Sequence, residues 1–251
     1  MNANRPGRLV ILSGPSCVGK TPLDKALGKF HQELRKRFRR VVLYHSRAPR
    51  PGEVDGADFH YRTREHIEAL RVENRYLVVE MRSDLQAVDV EELSNLLKQG
   101  DCLLDVNPFV ARALLAQPVL SGVERLSVVL SPLSREEILY LKQPERHVSL
   151  PEFLTDVMRR KLLRRTRRQR PQPSLGDLED IERRASSAYG ELKEAWRFDF
   201  VIPNHDGEDS DNWDAAYYPL GDARKALIAF SALLEGEAPD RVEKWEEDLL
   251  P

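Results

Sequence analysis

Apolar residues fall along this chain in two alternating patterns. Short unbroken runs, such as Leu9-Val10-Ile11-Leu12, are followed by stretches in which apolar side chains return every three or four positions. The unbroken runs read as strands covered on both faces, the spaced ones as helices with a single buried stripe. Arg8 to Ser13 is the first predicted strand. Thr21 to Arg37 is a predicted helix, with Leu23, Ala26, Leu27, Phe30 and Leu34 on one side. A second strand covers Val41 to Tyr44, and a loop rich in Pro and Gly runs from His45 to Asp58 before the short strand Phe59-His60-Tyr61. Thr63 opens a helix with Glu65 near its positive end. Tyr76 to Glu80 is another strand, and Val90 to Lys98 a helix closed by Gly100. Cys102 to Val106 is a buried strand, and Pro108 starts a helix that runs to Leu115. Leu126 to Leu130 is a further strand, and Ser134 caps the helix after it. A helix from about Leu178 to Trp196 precedes the last strand, Phe200-Val201-Ile202. Strands alternating with helices predict a parallel α/β sheet. There is no internal repeat.

The first strand feeds Gly14-Pro15-Ser16-Cys17-Val18-Gly19-Lys20-Thr21, a complete GxxxxGKT in strand–turn–helix context. That is the setting a phosphate-binding P-loop requires. Its glycines let the backbone wrap an anion closely, and successive N–H groups at a helix start point at phosphate oxygens. In this reading all eight residues bind the nucleotide. Lys20 reaches the β/γ-phosphates of ATP, and the Thr21 hydroxyl holds Mg²⁺. The plainer reading is a glycine-rich turn that binds nothing.

Composition narrows the setting. The chain has 251 residues, ample for a sizeable core, and a formal net charge of −2, which by itself favours neither nucleic acid nor a membrane surface. No apolar run reaches membrane-spanning length. The segment Met1 to Gly7 is polar and too short for a signal peptide. Cys17 and Cys102 lack disulfide or metal-ligand spacing, so a reducing, cytoplasmic setting is expected. Charge is unevenly placed. Met158 to Arg170 is dense in Arg and Lys, which suits a solvated helix face, a nucleic-acid patch or a phosphate clamp. The stretch after Gly236 is acidic and is expected to pack loosely or fray. His45, His60 and His205 receive no role.

A second, longer motif carries a resemblance. Ser46-Arg47-Ala48-Pro49-Arg50-Pro51-Gly52-Glu53-Val54-Asp55-Gly56-Ala57-Asp58-Phe59-His60-Tyr61 is similar, almost position for position, to the TTRxPRxGExxGxDYxF segment of the guanylate kinase family. Leu103-Leu104-Asp105-Val106-Asn107 resembles that family's LLDID strand end, Ile181 to Ala185 its post-lid helix, and Phe200 to Asn204 its VIVND. The resemblance runs from about Arg8 to Asp206. It implies an α/β P-loop NTPase fold, with a parallel β-sheet sandwiched by helices, a small acceptor-binding subdomain at about 40–90 and an Arg-rich lid at about 142–184. Residues 1–235 then form the kinase-like domain and 236–251 an acidic tail.

The implied function is transfer of the γ-phosphoryl of ATP, with Mg²⁺, to a phosphorylated acceptor, GMP first. Arg47 and Arg50 match the two arginines that clamp the GMP phosphate. Arg167, Arg170 and Arg184 are the candidates to stabilise the transferred phosphoryl, and Asn204 lies where the family meets adenine. Asp105 reads either as an outer-shell metal residue or as a helix-capping acid. The lid placement of the basic run argues against nucleic acid. Departures gather at the base-reading positions. A family serine aligns with Leu43, the phosphate-binding tyrosine with Phe59, and the guanine-reading acid with Leu77 or, after a shift, Glu80. Gln86-Ala87 and Val88 stand where a Tyr-Gly pair is expected, Asn107 replaces the second acid of LLDID, and about Gln143 to Phe153 is extra. These departures leave open another nucleotide, a phosphorylated sugar, or a catalytically weak binding module. The last is set against by the intact Lys20 and Thr21.

Overall fold

A computed structural model describes residues 7–50 and 52–251. The segment Met1 to Pro6, and Pro51 of the arginine loop, lie outside the described residues. Strand β1 (Leu9–Ser13) leads into α1 (Lys20–Phe30) and α2 (Gln32–Lys36). Then come β2 (Arg39–Arg40), β3 (Tyr44–His45), β4 (His60–Tyr61), α3 (Arg64–Ala69), β5 (Tyr76–Met81) and β6 (Asp84–Asp89). Helix α4 (Val90–Leu97), β7 (Cys102–Val106), α5 (Pro108–Leu115), β8 (Arg125–Ser131) and α6 (Arg135–Leu141) follow. The chain continues through α7 (Leu150–Gln169), α8 (Leu175–Leu192), β9 (Phe200–Pro203) and α9 (Gly221–Glu235).

One sheet has the order β2-β7-β1-β8-β9, parallel at β2–β7 and β8–β9. A second sheet, β4-β3-β6-β5, is mixed, with β6 antiparallel to both its neighbours. Strands β1 and β7 are nearly continuous apolar runs because both their faces are covered, the polar residues being the buried Ser13 and the exposed Asp105. Helices form where sequence supplies caps. Ser134 and Ser174 each make a reciprocal capping box, with Glu137 and Asp177, and Thr63 and Asp89 accept from the first turns of α3 and α4.

Several expectations are corrected here. The helix expected over Thr21 to Arg37 is two helices. His31 leaves helical geometry, and the turn back keeps Leu34 buried and sets Arg35 against Asp24 at 2.6 Å. The strand expected over Val41 to Tyr44 divides. Arg39–Arg40 pairs in the first sheet and Tyr44–His45 in the second, while the buried Val41 and Leu43 carry the chain between those pairings. Strand β6 was not anticipated. It closes a hairpin on β5 through Arg82 and Ser83, both left-handed (φ 52° and 68°). Such a turn normally advertises itself by Asn or Gly, and neither is present. Helix α9 also went unread, although Ala223, Ala226, Leu227, Phe230, Leu233 and Leu234 recur at helical spacing and are buried.

Backbone packing groups the chain into two compact units: the chain up to Ile11 with Arg37–Leu126, and Leu12–Lys36 with Ser127–Pro251. Within the second unit the acidic tail is docked rather than frayed. Glu243 exchanges two backbone hydrogen bonds with Val201, each 2.8 Å, and Arg135 Nε pairs with Glu246 at 3.0 Å. Trp245 is only 3% exposed, and Leu249 and Leu250 are buried. Three apolar side chains spread among acids leave little periodic signal, yet they suffice to anchor the segment.

Candidate active site

The P-loop lies in the second unit. Gly14 has φ 140°, and a Cβ there would sit 2.5 Å from the Leu130 carbonyl oxygen, so the loop leaves β1 at a point only glycine fits. Gly19 caps α1 with no side chain of its own, which keeps the first-turn amides for an anion. The Lys20 ammonium donates to the Gly14 and Pro15 carbonyls at 2.9 and 3.2 Å, and Thr21 is exposed. The Cys17 thiol is pushed up to about 12 by burial and by Glu208, so it remains an inert thiol.

Two predicted site residues join this loop. Arg184 on α8, 6% exposed, donates from Nε to Ser16 Oγ at 3.1 Å and from Nη1 to Asp180 at 3.2 Å. Asn204 is fully buried, and its amide donates to the Val18 and Asp206 carbonyls at 2.8 and 2.7 Å. The structure therefore sets Asn204 as a brace beneath the P-loop. Arg167 and Arg170 stand exposed at the end of α7, where Arg170 meets Asp177 at 3.4 Å.

Sequence reasoning missed the loop that follows β9. Asp206-Gly207-Glu208-Asp209-Ser210-Asp211 is an acidic run, and its neighbour is the basic helix α7. Asp209 pairs with Lys161 and Arg164 at 3.5 and 2.9 Å, and Asp211 with Arg168 at 3.0 Å. On its other side Arg159 pairs with Glu182 of α8 at 2.7 Å. The basic run in sequence is thus interleaved with acids in space. Within the same loop Glu208 Oε2 accepts from the Gly19 amide at 2.9 Å. Burial opposes its charge, but Arg165, Lys20 and that amide prevail and hold the carboxyl below its ordinary range. The available signal was an acid run following a strand end, opposite in sign to the arginine run.

The arginine loop lies in the first unit and is organised by Glu53. Arg47 grips it with both Nη atoms, at 2.6 and 2.8 Å, the Arg50 amide donates to it at 2.8 Å, and the Tyr61 hydroxyl donates at 2.6 Å. Burial opposes the Glu53 charge, yet these donors hold its carboxyl down to about 2. The Arg47 guanidinium lies 5.4 Å from the ring centres of Phe59 and of Tyr61. Thus the hydroxyl absent from Phe59 is present two residues on, at Tyr61. His45 is buried and pushed down to about 3, first by burial and then by Arg47 and Arg50. Its Nδ1 accepts from the Arg47 amide at 3.2 Å, so the ring proton belongs on Nε2.

Register separates the base-reading candidates of this unit. Glu80 lies opposite Leu85, on the face whose core includes Ile67 and Leu70, and pairs with Arg64 at 2.8 Å. Gln86 lies opposite both His45 and Val79, hence on the other face, as does the pair Leu77–Val88. Gln86 is 4% exposed and its Oε1 has no hydrogen-bond partner among the described residues. Asp105 is exposed near the end of β7, and the capping role belongs to Asn107, whose Oδ1 accepts from the Phe109 amide at 2.9 Å. Among the described residues no cluster of His, Cys, Asp and Glu forms a closed metal site. The Thr21 hydroxyl and the Asp105 carboxylate are each hard oxygen donors of the type Mg²⁺ takes.

Residues 6–136, just over half of the chain, match the family model described as Guanylate kinase. A guanylate kinase of Nitratidesulfovibrio vulgaris is 31% identical over 241 residues, which cover 94% of this chain and 99% of that protein. The chain belongs to the guanylate kinase family. A guanylate kinase of Nitrosospira multiformis is 32% identical over 202 residues, 79% of each chain. The crystal structure of guanylate kinase from Anaplasma phagocytophilum shares the fold, with TM-score 0.53 and 18% identity over 94% of this chain and 90% of that one. As a guanylate kinase family member the chain is a P-loop phosphotransferase of the nucleoside monophosphate kinase type. No helix among the described residues is long and apolar enough to cross a membrane.

Proposed function

We propose that this enzyme transfers the γ-phosphoryl of ATP to the phosphate of GMP. The full-length likeness to guanylate kinases, with the P-loop residues retained and braced by Arg184 and Asn204, carries the reading. In it, the P-loop amides and Lys20 hold the donor phosphates. Arg184, Arg167 and Arg170 supply positive charge toward the transferred group, and Arg47 and Arg50 hold the acceptor phosphate in forked geometry. Thr21 and Asp105 would hold Mg²⁺, which, when bound, neutralises phosphate charge during transfer. Phosphoryl transfer asks mainly for alignment and charge, and the side chains named here supply both without covalent chemistry.

One observation favours a second, broader acceptor range. The sheet face bearing Gln86 also carries the apolar pair Leu77–Val88, at two positions where the resembled family has polar residues that would penalise a wrong base. Each hydrogen bond not made to a base edge forgoes about 0.5–1.5 kcal/mol of discrimination. Comparing kcat/KM for GMP, AMP and ribose 5-phosphate with Mg-ATP tests both. The expected result is GMP turnover with modest rejection of AMP. Strong rejection of AMP removes the broader reading, and absence of GMP turnover removes the first.

A further inference from the structure

We propose that the Glu208 carboxylate competes with the donor nucleotide for the P-loop, taking the place on the Gly19 amide that a donor phosphate needs. This rests on the reading that the P-loop binds ATP. The Gly19 amide belongs to the glycine-rich turn whose N–H groups serve the phosphates, and its proton goes to Glu208 Oε2 at 2.9 Å. Carboxylate and phosphate present the same chemistry to that turn: an anionic oxygen accepting a charge-assisted hydrogen bond. The cations acting on Glu208, Arg165 and Lys20, are those a phosphate in its place would inherit.

The loop that carries Glu208 is built to keep it there. A Cβ at Gly207 would fall 2.1 Å from the Cys17 carbonyl oxygen, so the loop backbone packs directly on the P-loop. Trp213 Nε1 donates to the Asp206 and Gly207 carbonyls at 2.8 and 3.1 Å. The Asp206 carboxylate accepts the Asp222 and Ala223 amides at the start of α9, at 2.9 and 3.0 Å. Asp209 is anchored by Lys161 and Arg164. These braces act on neighbours of Glu208 and on the backbone, while its own side chain keeps rotatable bonds. A donor phosphate can therefore expel the carboxylate by rotation of one side chain with the loop left in place. Until it is expelled, apparent donor affinity falls by the fraction of molecules in which the amide is available.

The test is calorimetric titration of the full chain with inorganic triphosphate and with Mg-ATP. It uses the unchanged protein, Glu208→Gln, which removes the competing charge, and Glu208→Asp, which shortens the reach by one methylene. Both variants are expected to bind each probe more tightly, by about tenfold if the amide is available in about one molecule in ten. Equal or weaker binding in the variants overturns the proposal, since a carboxylate that assists the donor or its metal would be missed. If the unchanged protein binds neither probe, the ATP reading itself falls, which is a distinguishable result. A measurement without substitution guards against a variant that does not fold. In ¹³C-labelled protein the Glu208 carboxyl resonance is expected to shift on saturation with triphosphate, and a resonance that stays in place counts against displacement.

Discussion

On the proposed function the P-loop and the arginine loop both serve anions, but they are made of different material. Around Gly14–Thr21 the anion site is backbone: amides fixed by a left-handed Gly14, a cap at Gly19 and the buried amide of Asn204. Around Arg47 it is side chains, a guanidinium, a carboxylate and a phenol held together by Glu53. A backbone site tolerates few sequences, because its conformation forbids most residues. A side-chain site can be rebuilt by exchange, as Phe59 and Tyr61 illustrate. On that reading the donor half is fixed in kind, and the acceptor half is where this chain departs from the motifs it resembles.

The largest effect expected from this contrast is at Lys20. Lys20→Ala removes the one P-loop side-chain charge and leaves the amide cradle standing. Loss of a single group that stabilises transferring charge costs about 10²–10³-fold in kcat, and here that is a lower bound. The Lys20 ammonium donates to two carbonyls of its own loop and its charge also acts on Glu208, so the loss of thermal stability is expected to be modest, about 1–2 kcal/mol. Unchanged turnover would mean that the backbone alone carries the donor site.

Glu53→Gln probes the other half. It keeps the shape but removes the anion that orients Arg47, whose side chain is 12% exposed. Hydrogen bonds to charged groups are worth about 1.5–3 kcal/mol, so the acceptor KM is expected to rise about tenfold or more. The KM for ATP is expected to stay put, because the P-loop is assembled from other residues. A parallel rise in both constants would break the distinction between the two halves.

The same distinction explains what could be read in advance. GxxxxGKT after an apolar strand was legible because its chemistry lies in glycine positions and local order. The arginine loop was legible as a long motif. Strand β6 was not, since its turn uses Arg82 and Ser83 where Gly or Asn would have announced a hairpin. Without β6 the register was unknown, and only register shows that Glu80 and Gln86 occupy opposite faces. Glu208 was hidden for another reason. Its partner, the Gly19 amide, is 189 positions away in sequence, and backbone donors leave no mark on composition. The docked tail was missed because Trp245, Leu249 and Leu250 follow no period.

The smallest expected effects come from two histidines that titrate in opposite senses. His45 in the arginine-loop unit is buried beside Arg47 and Arg50, which holds it neutral down to about 3. The unfolded chain takes up that proton at about 6.5, so stability falls as pH drops from about 6.5 towards 3, by at most a few kcal/mol. His45→Asn keeps an acceptor for the Arg47 amide and is expected to flatten that limb in urea titrations at pH 4 to 7. His205 in the P-loop unit is the reverse case. Burial lowers its pKa, but Nδ1 at 2.6 Å from Asp222 and Nε2 at 2.9 Å from Glu137 raise it overall. Asp222 in turn meets Lys225 at 2.6 Å, which tempers the attraction. A raised folded pKa means the stabilisation is complete below about 6.5 and is lost as pH climbs through the folded value. With its side chain 47% exposed, solvent screens much of this, so the loss is expected to be small. His205→Gln should therefore remove a shallow decline on the alkaline side and, because His205 also helps hold the Asp222 carboxyl below its ordinary range, slightly soften the acid limb. A variant that lost stability equally at every pH, with the alkaline decline still in place, would show that His205 works through the fold of its loop, which starts at Asn204, and not through its charge.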